Sequence, residues 1–182
     1  MKYLDFIKMD TIKTSRLELR ELTVKDVTDD YVSWLNDSVV NQYLESRFSE
    51  QNHKDIQGFI RESNSDPSTI LFGIFIKKNM KHIGNIKIGS IDANHKRASI
   101  GILIGDIGEW GNGYASESIQ MITRFCFDKL SLVKISAGCY ESNIGSKKAF
   151  EKAGYKVEGF LDSHVETQHG REGCWQLGIV AC

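Results

Sequence analysis

Apolar positions recur along this chain at two spacings, every second residue and every third or fourth, and the change from one to the other marks out its elements. Arg16 to Leu22 alternates as a strand does. Asp26 to Asn36 places Val27, Tyr31 and Trp34 near one face of a predicted helix, and a second helix is predicted from Ser49 to about Glu62. Ile70–Lys77 and His82–Ile91 are strand-like runs either side of the turn Lys78-Asn79-Met80-Lys81, a hairpin signal. Arg97–Ile104 is the next strand, with a buried apolar run from Ala98. Ala115, Ile119, Ile122 and Cys126 then repeat at helical spacing toward Lys129. Lys134–Tyr140 is a strand followed by a helix. Tyr155–His164 and Arg171–Val180 close the chain as a hairpin around Gln168-His169-Gly170. The order is that of an α+β protein.

The junction between the Arg97–Ile104 strand and the following helix carries the strongest chemical signal. It reads Trp110-Gly111-Asn112-Gly113-Tyr114-Ala115. A strand, a glycine turn and a helix N-terminus together form an anion cradle: backbone N–H groups there lack internal acceptors, and the helix dipole adds partial positive charge. Gly111 and Gly113 permit φ > 0 and close approach of a phosphate. A nucleoside-triphosphate loop needs Lys and then Ser or Thr after its last glycine, where this chain has Tyr114 and Ala115. A dinucleotide fold needs G-x-G-x-x-G and an acidic residue closing a second strand about 20 residues on. Gly108, Gly111 and Gly113 are wrongly spaced for it, and Asp128 is still within the predicted helix.

A third pattern fits. The segment resembles the acyl-CoA signature R/Q-x-x-G-x-G/A of the GNAT N-acetyltransferase superfamily, with Gly113 as the glycine and Ala115 as the last small residue, while Trp110 departs from the usual Arg or Gln at the first position. The form W-G-x-G-Y-A is common in the branch that contains the ribosomal-protein N-terminal acetyltransferases. A second stretch, Tyr140-Glu-Ser-Asn143-Ile-Gly-Ser146-Lys-Lys148-Ala-Phe150-Glu-Lys152-Ala-Gly154-Tyr155, resembles the superfamily block N-x-x-S-x-x-x-x-E-K-x-G-F/Y at the expected distance. Residue by residue, plainer readings exist: Asn143 as an N-cap, Gly154 as a helix-ending residue, Phe150 as core. The resemblance runs from about Thr14 to Val180. It implies a strongly bent mixed β-sheet flanked by helices, with two central strands splayed apart to admit the pantetheine arm of acetyl-CoA.

Bulk properties agree. A chain of 182 residues, 41% hydrophobic, suits a single domain over 1–182 with a sizeable core, and one proline and no repeats leave no obvious linker. The longest apolar run, near Ile70 to Ile76, is strand-sized, far short of the roughly 18 residues of a membrane span. Lys2, Asp5, Lys8 and Asp10 interrupt any signal-peptide core, so a cytoplasmic location without membrane attachment is expected. Cys126, Cys139, Cys174 and Cys182 contain no C-x-x-C pair and read as free thiols. The five histidines show no zinc spacing, so no metal is expected. A net charge of −1 argues against a nucleic-acid partner. Acetyl-CoA and an amine are the expected partners of a monomer or homodimer.

Acyl transfer to an amine requires a neutral amine, stabilisation of the carbonyl oxygen and departure of a thiolate. The resemblance implies that main chain near Ile102, Leu103 and Ile104 pairs with pantetheine and polarises the thioester, an oxyanion-hole role. It implies that the N–H groups of Gly111 to Ala115 hold the pyrophosphate and that Asn143 bonds the pantetheine arm. The pair Lys147-Lys148, too short for a nucleic-acid patch, is long enough for Lys148 to touch one phosphate. Many relatives place a tyrosine acid where this chain has Phe150, and Ser146 takes its place beside the sulfur. Its task is small, because an unperturbed thiol has a pKa of about 8.5; a helix-surface serine is the bland alternative. Relatives also carry Glu where this chain has Ser99, leaving Glu45, Glu109, Glu141 and His164 as candidates for the base, with water as a further possibility. An α-amino group, pKa about 7.7–8.0, is far more often neutral at pH 7 than lysine at about 10.4, which tilts the expectation away from lysine acceptors. Trp34, Asn36, Tyr43, Glu45 and Arg47 form a candidate acceptor surface of aromatics, amides and charges; Trp34, Tyr43 and Phe48 read equally as core anchors. Two functions remain open: an amine N-acetyltransferase, and a non-catalytic acyl-CoA-binding domain.

Overall fold

The computed structural model describes residues 11–181, so Lys2, Asp5, Lys8, Asp10 and Cys182 lie outside the described residues. Among those residues, eight strands form one sheet: β1 (Ile12–Lys13), β2 (Leu17–Glu21), β3 (Ile70–Ile76), β4 (Lys81–Asp92), β5 (Arg97–Ile104), β6 (Lys134–Tyr140), β7 (Lys156–Thr167) and β8 (Gly170–Val180). They lie side by side in the order β1-β2-β3-β4-β5-β6-β8-β7, all neighbours antiparallel except β5 and β6. The helices are α1 (Asp29–Asn36), α2 (Ser38–Asn41), α3 (His53–Ser65), α4 (Tyr114–Asp128) and α5 (Ile144–Lys152). This is the mixed, helix-flanked α+β sheet that the sequence predicts.

β3 reads Ile-Leu-Phe-Gly-Ile-Phe-Ile because both of its faces are covered, and a strand buried on both sides loses its polar alternation. Ile70, Phe72 and Ile74 pack with Ile119, Ile122 and Cys126 of α4 and Phe150 of α5. Leu71 and Phe75 pack on the other side with Tyr31 and Trp34 of α1 and Ile56 and Ile60 of α3. Side-chain caps move the predicted helix starts. Thr28 accepts from Tyr31 N and starts α1 later than Asp26, whose carboxylate is held by Arg20 and Thr23. Asn52 accepts from Lys54 N and Asp55 N and starts α3 later than Ser49.

The parallel seam between β5 and β6 is short. Arg97, Ala98 and Ser99 pair with Lys134, Ile135 and Ser136, and there the pairing stops. β5 runs on along β4 to Ile104, while β6 runs on along β8 to Tyr140. Past Ser99 the strands follow different partners, and a gap walled by main chain opens between them. Close contact holds the end of β5 against β4: Gly105 N and Asp106 N both donate to Ile83 O, at 2.9 and 3.2 Å. Gly84, opposite Ile104, leaves no room between these backbones; a Cβ there would lie 2.1 Å from Leu103 O. Every second residue of an antiparallel strand turns its N–H and C=O away from the partner, so part of β5 beyond Gly101 faces the gap with unpaired peptide groups.

His82, beside this junction, makes the fold sensitive to acid. Its ring stacks on Phe75 and meets the edges of Tyr31 and Trp34, with centroids 4.8, 5.5 and 5.1 Å away. Nε2 lies 3.0 Å from Gly84 O and 2.9 Å from Asn85 Oδ1, both acceptors, so it carries the proton; the buried Nδ1 has no partner. Burial is the main cause that lowers its pKa below 6.5, outweighing the hydrogen bonds to Asn85 and Gly84. The unfolded chain then takes up the proton first as pH falls. Stability is present above about pH 6.5 and is lost as pH falls from there toward the lowered folded value. Thermal melts at pH 7.5 and 5.0 should show a drop that is smaller in His82→Phe, although that variant melts lower throughout.

Candidate active site

The glycine segment stands at the mouth of the gap as the head of α4. Gly113 is the N-cap with φ +78°, and Gly111 also has φ +78°, both in the left-handed region. Among the described residues, the backbone N–H groups from Gly111 to Ser116 find no acceptor; the first bond of the helix is Glu117 N to Gly113 O at 3.1 Å. A row of unpaired amides at the positive end of a fifteen-residue helix has the chemistry of an anion site. Nothing within 4 Å would meet a Cβ on Gly111, so the approach is open. The fit to a pyrophosphate rests on these free donors.

Two side chains fix the loop. Trp110 Nε1 donates to Ile104 O at 2.8 Å and ties the loop to the end of β5. That bond uses one lone pair of the Ile104 carbonyl and leaves the Ile104 N–H free. Leu103 is a correction: opposite Asn85 in the register that continues from Gly105 N to Ile83 O, it turns its peptide groups to β4, whereas Ile102 and Ile104 turn theirs to the gap. Arg16, not foreseen from the sequence, holds the other side. Its Nη1 donates to Asn112 O at 2.9 Å, and its Nε and Nη2 meet Glu117 Oε2 at 2.7 and 2.6 Å. Burial works to raise the pKa of Glu117, but hydrogen bonds from Thr14 and Arg16 and the Arg16 charge outweigh it and leave it low. An ionised Glu117 in the first turn of α4 would repel a bound anion, and Arg16 offsets that charge at the loop itself.

The second block follows β6. Asn143 is the N-cap of α5, its Oδ1 accepting from Ser146 N at 3.0 Å, which leaves its amide NH₂ free to donate. Ser146 is half-buried, and its hydroxyl has no partner among the described residues. Phe150 is core, edge-on to Tyr155 at 5.1 Å, and Tyr155 Oη bonds Thr123 Oγ1 at 2.8 Å. Of the two lysines, Lys147 is committed: its Nζ sits 3.7 Å from the Trp175 ring centroid, while Lys148 is exposed. Burial pushes the Cys139 thiol up to about 11, and Cys126, Cys139 and Cys174 are all unbridged.

The predicted acceptor residues separate into two groups. Trp34 is a correction: it is buried with Tyr31 and His82, and its ring lies where a Cβ on Gly105 would fall, 2.2 Å away. Asn36 is another, since its amide bonds Val32 O, Gln51 O and Gln51 N and staples α1 to the chain before α3. Tyr43, Glu45 and Arg47 converge instead on Tyr140 at the end of β6. The candidate bases also part company. Glu109 pairs with Lys81 and Asn112 beside the glycine loop, Glu141 accepts from Gly173 N, and His164 is exposed on β7. Ser99 donates to Gly89 O at 3.1 Å across to β4.

The GNAT acetyltransferase domain pattern matches residues 16–156 of this chain. The chain belongs to the GNAT acetyltransferase family. Its relatives include the N-acetyltransferase YoaA of Bacillus subtilis, 33% identical over 157 residues that cover 85% of this chain and 87% of that protein. The N-acetyltransferase p20 of Bacillus licheniformis is 29% identical over 162 residues, covering 88% and 90%. Among solved structures, RimL, a ribosomal L7/L12 α-N-protein acetyltransferase in complex with coenzyme A, superposes with a TM-score of 0.82 at 15% identity over 94% of this chain and 98% of that one. The spermidine N-acetyltransferase of Vibrio cholerae, in complex with CoA and spermine, superposes at 0.81 with 21% identity, covering 92% and 96%. This GNAT protein is an N-acetyltransferase with acetyl-CoA as its cosubstrate, and the non-catalytic alternative gives way. No helix among its described residues is long and apolar enough to cross a membrane.

Proposed function

We propose that this acetyltransferase moves the acetyl group directly from acetyl-CoA to a primary amine of lowered pKa, a protein N-terminus or the amine of an amino sugar or similar small molecule. The reading is carried by the unpaired N–H row from Gly111 to Ser116, which opens onto the gap beyond Ser99. In this reading that row holds the pyrophosphate, and Lys148 reaches a phosphate. Free peptide groups of Ile102 and Ile104 hold pantetheine and polarise the thioester, and the Asn143 amide donates to the arm. Ser146 hydrogen-bonds the sulfur as it gains charge. The enzyme works in the cytoplasm as one domain, a monomer or homodimer.

Ser99 supports the choice of amine. It supplies no carboxylate, and its hydroxyl is engaged with Gly89 O. Whatever group takes the proton, an α-ammonium of pKa about 8 yields it far more readily than a lysine near 10.4. The fold neighbours named for a ribosomal protein N-terminus and for spermidine mark the two acceptor classes to be separated.

A panel of peptide N-termini, nucleotide-linked amino sugars, polyamines and lysine peptides, followed by CoA release at pH 7, tests the reading. The first two groups should be acetylated fastest, and Ser146→Ala should lower kcat about 10- to 100-fold with acetyl-CoA affinity unchanged. Preference for the lysine peptide would remove the acceptor choice, and an unchanged kcat would return Ser146 to a surface role.

A further inference from the structure

The segment between α2 and α3 crosses the open end of β6 and brings there a carboxylate that the cofactor side of the gap does not use. Tyr140 Oη lies 2.6 Å from Glu45 Oε1, and Arg47 Nη1 donates to the same phenol oxygen at 2.9 Å. Arg47 has only donors, so the phenol accepts from it and gives its own proton to Glu45. Arg47 is itself fixed. It donates to Leu44 O at 2.8 Å and Glu166 O at 2.9 Å, lies 4.2 Å from the Phe48 centroid, and its side chain is only 15% exposed. Tyr43 closes on Tyr140 edge-on at 5.7 Å. One oxygen of Glu45 is therefore held while the side chain stays 77% exposed, leaving the other oxygen to meet a ligand.

The position of this group matters as much as its bonding. Tyr140 shares a face of β6 with Ser136 and Gly138, whereas Ile135, Ala137 and Cys139 face the α4–α5 core. On β5 the corresponding face carries Ser99, Gly101 and Leu103, and a Cβ on Gly101 would meet nothing within 4 Å. The strip beside the gap is open and carries no carboxylate of its own, and Glu45 stands at its end.

We propose that Glu45 is the general base of the acetyl transfer and that the acceptor ammonium enters over the Gly101–Gly138 face, opposite α4 and α5. The inference rests on the transfer reading given above. Glu45 takes one proton from the ammonium; the freed amine lone pair forms the C–N bond at the thioester carbon while the C–S bond breaks. The electron pair leaves with sulfur, which takes a proton from water beside Ser146 to give CoA thiol, and Glu45 returns its proton to solvent. The amide nitrogen loses its second proton to water. Glu45 is the catalytic residue, and Tyr140 and Arg47 are positioning residues. The groups that face Glu45 are Arg47 on its own segment, Tyr140 on β6 and Cys174 on β8, with Glu172 beside Cys174. Burial and the bond to Glu45 raise the Tyr140 pKa, against the opposing effect of Arg47, so the phenol stays a proton donor through neutral pH.

The test uses the whole enzyme and the fastest amine of the panel, with kcat/KM followed from pH 6 to 9. Wild type should be nearly flat below the pKa of the amine, because Glu45 accepts the proton of the bound ammonium. Glu45→Gln should lose about a hundredfold at pH 7 and regain about tenfold per pH unit, following the neutral amine, with CoA affinity and melting temperature unchanged. Glu45→Asp should restore part of the plateau. Tyr140→Phe should lose about tenfold in kcat with the KM for acetyl-CoA unchanged, since one oxygen of Glu45 is no longer held in place. A Glu45→Gln enzyme with wild-type kcat/KM and profile would overturn the role of Glu45 and leave the transfer reading standing. A wild type that binds CoA but turns over no amine would overturn both.

Discussion

Gly113→Val should weaken CoA binding about a hundredfold, or about 2.7 kcal/mol, as measured by calorimetry. Gly113 has φ +78° as the N-cap of α4. For an L-residue the left-handed region costs about 1–2 kcal/mol, and β-branching makes it worse. Valine either adopts that strain or turns the peptide planes of the loop, and turning them removes the Tyr114 and Ala115 N–H groups from their common direction. Its methyls would also occupy the ground where an anion must approach. Gly170→Val is the control. Gly170 has φ +105°, with nothing within 4 Å of a Cβ, in the β7–β8 turn remote from α4. That variant should lose stability and keep its CoA affinity. Equal affinity in Gly113→Val and wild type would remove the glycine loop from the binding site.

Gly84→Ala should be among the most destabilising single substitutions in the molecule, at about 3 kcal/mol or slightly more. The added Cβ would sit 2.1 Å from Leu103 O and 2.9 Å from Ile104 Cα, and both are backbone atoms that no rotamer change can move aside. Relief requires β5 to part from β4, which also strains the bonds from Gly105 N and Asp106 N to Ile83 O. A 3 kcal/mol loss in a chain of this size lowers Tm by about 6–12 °C. CoA affinity should fall as well, because β5 would move toward the gap. Gly101→Ala, with open space at its Cβ, should leave Tm within a degree or two. A Gly84→Ala protein as stable as wild type would mean that the end of β5 is not pinned at this point.

Local periodicity carried the strands well. Arg97–Ile104 and Lys134–Tyr140 form over the residues predicted, because each has a fully apolar core face and a clear turn at its end. Helix starts shifted where a side-chain cap a few residues inside the predicted span, Thr28 or Asn52, took over the backbone. The four-residue α2 has too few positions to show a period. In the candidate site, Gly111 and Gly113 between β5 and α4, and Asn143 and Ser146 between β6 and α5, were legible because the spacing within each strand–turn–helix unit is itself the signal. Arg16 at Glu117 and Tyr140 at Glu45 were not, since they are joined across 101 and 95 residues by the path of the sheet. Trp34 stays open between two readings in the sequence for a related reason: an aromatic among polar neighbours looks alike whether it turns toward a ligand or into the second core, where the structure places it.

The brief parallel seam between β5 and β6 also bears on how such a protein diverges. A cleft walled by peptide groups asks little of the side chains along it, provided the two strands still separate and glycine stays where backbones touch. Substitution can then run far without closing the cleft, and a chain only 15% identical still superposes with a TM-score of 0.82. The opposite holds at Tyr43, Glu45 and Arg47, where side chains from an irregular segment meet one another across the end of β6. On the proposal that the acceptor meets Glu45, changes of acceptor should accumulate in the loops ahead of α3, while the pinned Gly84 of β4 and the head of α4 change slowly.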